Sequence, residues 1–293
     1  MIDFTRLPTR KKAYGGANGS KLSIVYNNEL YMLKLPVHAS KNPNLTYTNS
    51  CISEYLGCHI FNMLGIDAQE TILGFYELHN KKRIAVACKD FTSPNTTILD
   101  FAAIKNQVIE SSSNGYGTEM SDILFSIRNQ VVMKSDELED YFWNMFVVDA
   151  FIGNWDRHNG NWGFLYNQEK DDISLAPIFD CGASLFPQVD DELAKKLLKS
   201  KTEMNARVYD IPTSAIYIND KRGNYHKIIT SLEYDGCNEA IKRIVPKIDL
   251  EKIDQLIDSV EQLSELQKEF LKKILKLRKE IILDSAYSKL VSK

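Results

Sequence analysis

Asp156 and Asn161 stand five residues apart in "NWDRHNGNWGF", and Asp180 follows the apolar run "LAPIF". An Asp/Asn pair with a second Asp is a hard-oxygen set suited to Mg²⁺, an ion that keeps several waters and is held by one or two carboxylates plus substrate phosphates. Phosphoryl transfer is the reaction that needs this arrangement. Asp156, Asn161 and Asp180 are the candidate residues for holding the ion and handling the acceptor's proton. His158, two positions past Asp156, is placed to meet a γ-phosphate as charge is transferred; the competing reading is a histidine hydrogen-bonded within its own loop. Arg157 is read as structural, pairing a carboxylate such as Asp149. The bland account of the whole set is a polar loop capping an apolar helix, since Asn and Asp are common turn formers. That accounts for single residues, but not for their spacing together with the second Asp.

Phosphoryl transfer also needs a cradle for the phosphates. Gly15, Gly16, Ala17, Asn18, Gly19 and Ser20, in "YGGANGSK", directly precede a strand-like run, and glycines let backbone N–H groups approach phosphate oxygens. Taken alone, this is equally a turn before a strand. Lys34 lies inside the otherwise apolar "YMLKLP", where its charge is costly unless paired, and Glu54 on the following helix is a partner. The alternative is an edge-strand lysine facing water. A strand lysine on the phosphates, held by a helix glutamate, is the other half of the constellation that protein kinases use.

The elements that must position these groups follow from periodicity. Residues 21–36 read as a hairpin around "NNE", and residues 48–66 as one helix with Asn49 or Ser50 as cap and Gly65 as stop. "TILGFYEL" and "RIAVACKDF" read as two further strands joined by "HNKK". Helices are expected over 99–110, 118–130, 136–154, 190–198 and 238–245, with a long amphipathic one from Leu250 to about Ile282. "SSSNGYG" reads as a polar loop and "LAPIF" as a short strand presenting Asp180 at its end. The expected fold is α+β, with a small β-rich lobe over residues 1–92 and a larger helical lobe over 93–293.

Composition narrows the classes. The 293 residues are 44% hydrophobic, enough for a sizeable core, and a net charge of −3 gives no general attraction to nucleic acid. No stretch approaches the roughly 20 apolar residues of a membrane span, and "MIDFTRLPTRKK" lacks an apolar signal region, so a cytoplasmic protein as synthesised is expected. The five cysteines are widely spaced with no CxxC pair, and read as reduced core thiols.

With "GGANGSK", "YMLKLP", "SEY", "VACKDF", "GNWDRHNGNWGFL" and "APIFDCGAS" in this order, the sequence resembles the HipA-like serine/threonine kinases, and most of all their short CtkA-type members. The resemblance covers most of the chain and is densest over residues 142–187. It implies a two-lobed kinase fold, ATP with Mg²⁺, a protein acceptor and autophosphorylation. It assigns Asp156 as catalytic base, Asn161 and Asp180 as metal ligands, Lys34 as the phosphate-binding lysine and the backbone of Cys88 to Asp90 as the hinge for adenine. The CtkA-type relatives are described as secreted, and export without a signal peptide is implied only by that resemblance. Two departures stand out. The phosphate loop begins near residue 15, without the additional N-terminal subdomain of full-length HipA toxins, which argues against an antitoxin partner of the usual sort. Ala13 and Tyr14 stand where those toxins carry a regulatory serine, so candidate autophosphorylation sites move elsewhere, for example to Ser20 or Ser111 to Ser113.

Other readings fit parts of the pattern. Phosphoinositide kinases use a D-R-H-x-x-N loop that "DRHNGN" matches, but "CGASLFPQVDDE" after Asp180 is neutral and then acidic, unsuited to anionic head groups. A pseudokinase would keep the fold and bind nucleotide without turnover. A metal-dependent hydrolase built on His158 lacks the further His ligands such sites recruit.

Overall fold

In the computed structural model, which describes residues 1–15, 21–36, 49–78, 80–109 and 115–292, the chain opens with two short strands, β1 (Ile2–Asp3) and β2 (Thr9–Arg10). The hairpin of β3 (Lys21–Tyr26) and β4 (Glu29–Lys34) follows. Its turn is tighter than "NNE" suggests. Asn27 and Asn28 alone take left-handed backbone (φ 50° and 64°), as a two-residue type I′ turn requires, and Glu29 already pairs with Tyr26. Helix α1 (Ser50–Met63) leads to β5 (Thr71–Leu78) and β6 (Lys81–Lys89), completing a sheet of order β1-β5-β6-β4-β3-β2.

Side-chain alternation gives this sheet two apolar faces. Tyr31 and Leu33 of β4 cluster with Phe4, Ile24, Ala85 and Ala87 on one, while Met32 packs with Val86, Cys88 and Cys51 of α1 on the other. Lys34, two residues beyond Met32, therefore falls on the α1 face. Asn49 does not cap α1 with its side chain. Its Nδ2 donates to Val189 O (2.9 Å) and its N–H to Pro187 O (3.1 Å), so the helix start is tethered to the segment beyond Asp180.

The helix expected from Leu99 starts later. β7 (Thr96–Asp100) is a strand, and Asp100 accepts from Ala103 N–H (3.0 Å) to cap α2 (Phe101–Val108). Helices α3 (Met120–Asn129) and α4 (Ser135–Ile152) come next, then β8 (Gly163–Asn167) and β9 (Asp172–Leu175), which join β7 in a second sheet of order β7-β8-β9. "LAPIF" is not a strand: β9 ends at Leu175, and Ile178 makes only an isolated bridge to Ala68.

The remaining chain is α5 (Asp191–Lys199), α6 (Lys201–Tyr209), the hairpin β10 (Tyr217–Ile218) and β11 (Lys221–Arg222), α7 (Tyr225–Ser231), α8 (Asp235–Ile244) and α9 (Leu250–Asp258). The long helix expected from Leu250 is broken, because Ser264 and Gln267 form a capping box that starts α10 (Glu265–Arg278). A π-helical stretch, Lys279–Asp284, passes into α11 (Ser285–Val291). The apolar stripe survives the break: Leu263, Phe270 and Ile274 are buried, with Leu266 and Leu277 packed against them.

The largest core gathers nearly all of α4 from Phe142 onward, the inner faces of α8 and α10, and Ile52, Leu56, Ile60 and Phe61 of α1. Helix α1 thus belongs to both parts, lining the first sheet and entering the helical core. All five cysteines are buried and unpaired. Among the described residues no helix is long and apolar enough to cross a membrane.

Candidate active site

Helix α4 ends at Gly153, whose left-handed backbone (φ 68°) turns the chain out of the helix and into the polar loop. Asn154 is fully buried there. Its Nδ2 donates to Asp149 Oδ1 (2.9 Å), and its Oδ1 accepts the N–H of Asp156 (3.1 Å). Arg157, 2% exposed, donates through Nε to Asp149 Oδ2 (2.9 Å), through Nη1 to Asn161 O (2.8 Å) and to Phe179 O, and through Nη2 to Cys181 Sγ (3.4 Å). Burial works against the guanidinium's charge, but Asp149 outweighs it and holds Arg157 above its ordinary range. Arg157 is therefore the structural residue expected from its position. It binds the loop carrying Asp156 to the segment carrying Asp180.

Asp156 is half-buried. Burial, with the negative charge of Asp180, pushes its carboxyl above the ordinary range, while His158 and Arg222 pull it down. Its backbone carbonyl accepts from Asn161 Nδ2 (2.8 Å) and from His158 N–H (2.9 Å). The amide of Asn161 is thereby turned so that Oδ1, a hard acceptor, is the end left for a ligand. His158 Nδ1 lies 3.1 Å from Gly160 N and takes its N–H, which leaves Nε2 as the other ring nitrogen that can donate. The loop hydrogen bond thus leaves Nε2 without a partner among the described residues.

Lys34 joins the two parts of the site. Its Nζ lies 3.0 Å from Glu54 Oε1 and 3.0 Å from Asp180 Oδ1. Burial disfavours the ammonium, yet Asp180 and Glu54 together keep it well above the usual lysine range. In return Lys34 draws the Asp180 carboxyl down to about 2, against the opposing effect of burial. Glu54 is 1% exposed and its Oε1 also accepts the N–H of Asp180 (3.1 Å). The close approach of α1 to this segment depends on two glycines. A Cβ on Gly57 would sit 2.6 Å from Cys181 Cβ, and one on Gly182 would sit 3.1 Å from Glu54 Oε2.

One residue of the site escapes the sequence reading. Lys21, the last of "GGANGSK", is the cross-strand partner of Lys34, and its Nζ donates to Gly15 O (2.5 Å). Burial and the charge of Lys34 both lower its pKa. Like charges directly opposite on neighbouring strands are unfavourable, unless an anion lies between them. Gly15 is the first residue of the expected phosphate loop; Gly16, Ala17, Asn18, Gly19 and Ser20 lie outside the described residues, as do Ser111, Ser112 and Ser113.

At the expected hinge, Cys88 is buried and paired within the sheet, opposite Met32 and Thr71. Lys89 N–H donates to Glu70 O (2.8 Å), Lys89 O accepts from Gln69 Nε2 (2.8 Å), and Asp90 N–H donates to Leu30 O (2.8 Å). The neighbouring Asp90 carbonyl and Phe91 N–H are not used this way by the described residues. The Asp90 carboxylate meets Lys12 Nζ (2.6 Å), Tyr14 OH (2.8 Å) and Thr92 Oγ1 (2.7 Å), fastening the hinge to the segment that leads into the phosphate loop. Phe91 and Phe179 face each other with ring centroids 5.8 Å apart.

The donor set fits Mg²⁺ with a nucleotide. It consists of a carboxylate held ionised, an oriented amide oxygen and two lysines, one of which bridges the carboxylates. Among the described residues no group of three or more His, Cys, Asp or Glu gathers to hold a metal.

Comparison with known proteins identifies the family and the fold. The sequence matches the HipA-like C-terminal domain family over residues 13–265. It is 46% identical to the serine/threonine-protein kinase CtkA of Helicobacter pylori (strain J99 / ATCC 700824) over 292 residues, 99% of this chain and 89% of that protein. The crystal structure of a Helicobacter pylori proinflammatory kinase CtkA superposes with a TM-score of 0.93 at 45% identity, over 99% of this chain and 98% of that one. The HipA chain from the Shewanella oneidensis MR-1 HipA, HipB and operator DNA complex shares the fold at a TM-score of 0.55 and 13% identity, over 98% of this chain and 70% of that one. The chain belongs to the HipA-like C-terminal domain family and has the two-part α+β fold of the CtkA and HipA kinases.

Proposed function

We infer that the protein is an ATP- and Mg²⁺-dependent serine/threonine protein kinase of the HipA-like type, which also phosphorylates itself. The observation that carries this reading is Lys34 held at 3.0 Å by both Glu54 of α1 and Asp180, since it joins the strand lysine, the helix glutamate and the metal carboxylate in one contact set. The 46% identity to a serine/threonine kinase supports the reaction class.

Bound ATP with Mg²⁺ would supply the phosphoryl group and spread its charge over the metal. Asn161 Oδ1 and the Asp180 carboxylate would hold the ion. Lys34, kept in place by Glu54, would exchange Asp180 for phosphate oxygens, and Lys21 would meet the same anion from the facing strand. Asp156, its carboxyl raised by burial, takes the acceptor hydroxyl proton on a carboxylate oxygen, and His158 Nε2–H donates toward the transferring group. Adenine would be met by the Asp90 carbonyl and Phe91 N–H rather than at Cys88, because the earlier groups are spent. In this division residues 1–92 hold the nucleotide and 93–293 carry the acceptor chemistry.

The test is incubation of purified protein with γ-labelled ATP and Mg²⁺, with and without Asp156→Ala, using a generic protein acceptor and phosphoinositides in parallel. Label on protein that disappears in the variant, with nucleotide binding kept, is the expected result. Label on lipid alone, or wild-type transfer by the variant, would overturn the reading.

A further inference from the structure

Strands β10 and β11 form a hairpin closed by Asn219 and Asp220, both left-handed (φ 51° and 62°), with Tyr217 opposite Arg222. Its position is fixed from several sides. Glu119 accepts the N–H groups of Asn219 (2.7 Å) and Asp220 (3.3 Å), Tyr217 N–H donates to Thr118 O (2.8 Å), and Gly223 N–H donates to Ile216 O (2.7 Å). The segment just before Thr118 is fastened to the loop of Asp156, where Asn159 Nδ2 donates to Gly115 O and Gly117 O, both at 2.9 Å. Hairpin, segment and loop are one hydrogen-bonded unit.

Arg222 is exposed on this unit, next to the reaction centre. Its Nη2 donates to Trp155 O, the carbonyl immediately before Asp156, and its Nε donates to Thr213 Oγ1 (3.1 Å). Its charge reaches the Asp156 carboxyl and opposes the effect of burial there. Among the described residues no carboxylate lies within ion-pair distance of it, and Lys221 beside it is exposed as well. Tyr116, 53% exposed, edges the same loop: its hydroxyl rests on Asp100 Oδ2 (3.0 Å), and its ring lies 3.0 Å from where a Cβ on Gly160 would stand. Arg222 thus stands beside the Asp156 loop with no carboxylate in contact among the described residues, sharing its charge with Asp156 only at longer range. Holding a backbone carbonyl requires only a neutral donor. A permanently charged planar fork with donors to spare matches carboxylate and phosphate geometry.

We propose that Arg222 is a specificity-determining residue, selecting acceptor segments that carry an anionic side chain beside the hydroxyl to be phosphorylated. This rests on the kinase reading above. The fold displays the guanidinium on a rigid hairpin, so little ordering is needed when an acidic acceptor arrives.

The test is a serine peptide array with Asp, phosphoserine, Ala or Lys at each flanking position. The full chain is assayed as wild type, Arg222→Gln and Arg222→Glu, with autophosphorylation and Asp156→Ala run alongside. At one position or more the wild type should favour an anionic residue over Ala by about fivefold in kcat/KM, mostly through KM, as expected of a single ion pair near a surface. Asp and phosphoserine arms separate carboxylate from phosphate as the preferred anion. Arg222→Gln, which keeps a donor for Trp155 O, should lose the preference, and Arg222→Glu should turn it toward Lys. An anion preference that survives in Arg222→Gln would overturn the proposal. So would an equal loss on every peptide, which marks a mere prop for Trp155 O, or a wild type that labels itself but shows no anion preference among peptides or labels none. Label on neither peptides nor protein sinks the kinase reading, and this inference with it.

Discussion

Asp180→Asn, made in the nucleotide-free protein, isolates the Lys34 contact from the rest of the site. Lys34 keeps Glu54 at 3.0 Å, so the ammonium is not orphaned, and the Asp180 backbone, at φ 58°, is in a region asparagine tolerates. Lys34 lowers the Asp180 carboxyl from 3.8 to about 2. Taken as free energy, that drop is at most about 2.4 kcal/mol. The side chain is 43% exposed, however, and solvent screening brings the expected contribution to about 1 kcal/mol. Because the folded-state value is depressed, the stabilisation is fully present above the unfolded-state carboxyl value and is lost as pH falls through about 2. Urea unfolding followed by tryptophan fluorescence should show a penalty of about 1 kcal/mol at pH 7, shrinking to about a third of that near pH 3. A penalty that does not change with pH would refute the ion-pair account, and one above about 3 kcal/mol would mean that the loop itself had lost its shape.

Arg157→Met should destabilise the protein by about 3–5 kcal/mol, measured by denaturant unfolding, because it leaves Asp149 buried without its cation. Arg157→Lys should rescue little of this, since one ammonium cannot span the carboxylate, two carbonyls and Cys181. Gly57→Ala should cost about 1–3 kcal/mol and reduce transfer, as the added methyl pushes α1 from Cys181 and spreads Glu54 from Asp180; unchanged turnover would detach α1 placement from activity. Lys21→Ala should raise the KM for ATP about tenfold while stabilising the nucleotide-free protein slightly, through removal of the like charge opposite Lys34. Titration with ATP and thermal melting of the same sample check the two signs together.

The parts of this molecule that are readable in its sequence are those fixed by short-range rules. Asp156 and Asn161 sit five apart in one loop, and an apolar strand lysine needs a counter-charge, which the next helix supplies at Glu54. The capping signature that breaks the C-terminal helix, Ser264 with Gln267, is likewise visible in the sequence, but the uninterrupted apolar stripe across it favours one long helix. Periodicity reports which face is buried and says little about where the backbone restarts. The two-residue strands of the Arg222 hairpin are hard to see because they are too short to establish a period.

What the sequence conceals is the outcome of competition for partners. Lys34 has its second carboxylate 146 positions away, and Asp180 reaches it only because Gly57 and Gly182 let α1 lie against the segment that follows β9. The hinge groups at Lys89 and the N–H of Asp90 look free in a strand-end sequence, yet Gln69, Glu70 and Leu30 take them, moving the available pair one residue on. Lys21 and Lys34 show the converse case, a repulsion that no local rule forbids and that only the β3–β4 register creates. Two lysines facing each other beside Glu54 and Asp180 leave a site whose charges are balanced unevenly among the described residues, with Lys34 paired to two carboxylates and Lys21 to the Gly15 carbonyl. An entering polyanion would relieve that imbalance by drawing on both ammonium groups, and the same entry would free the Asp180 carboxylate for a metal. Under the proposed function, nucleotide binding and assembly of the metal ligand set would be a single event.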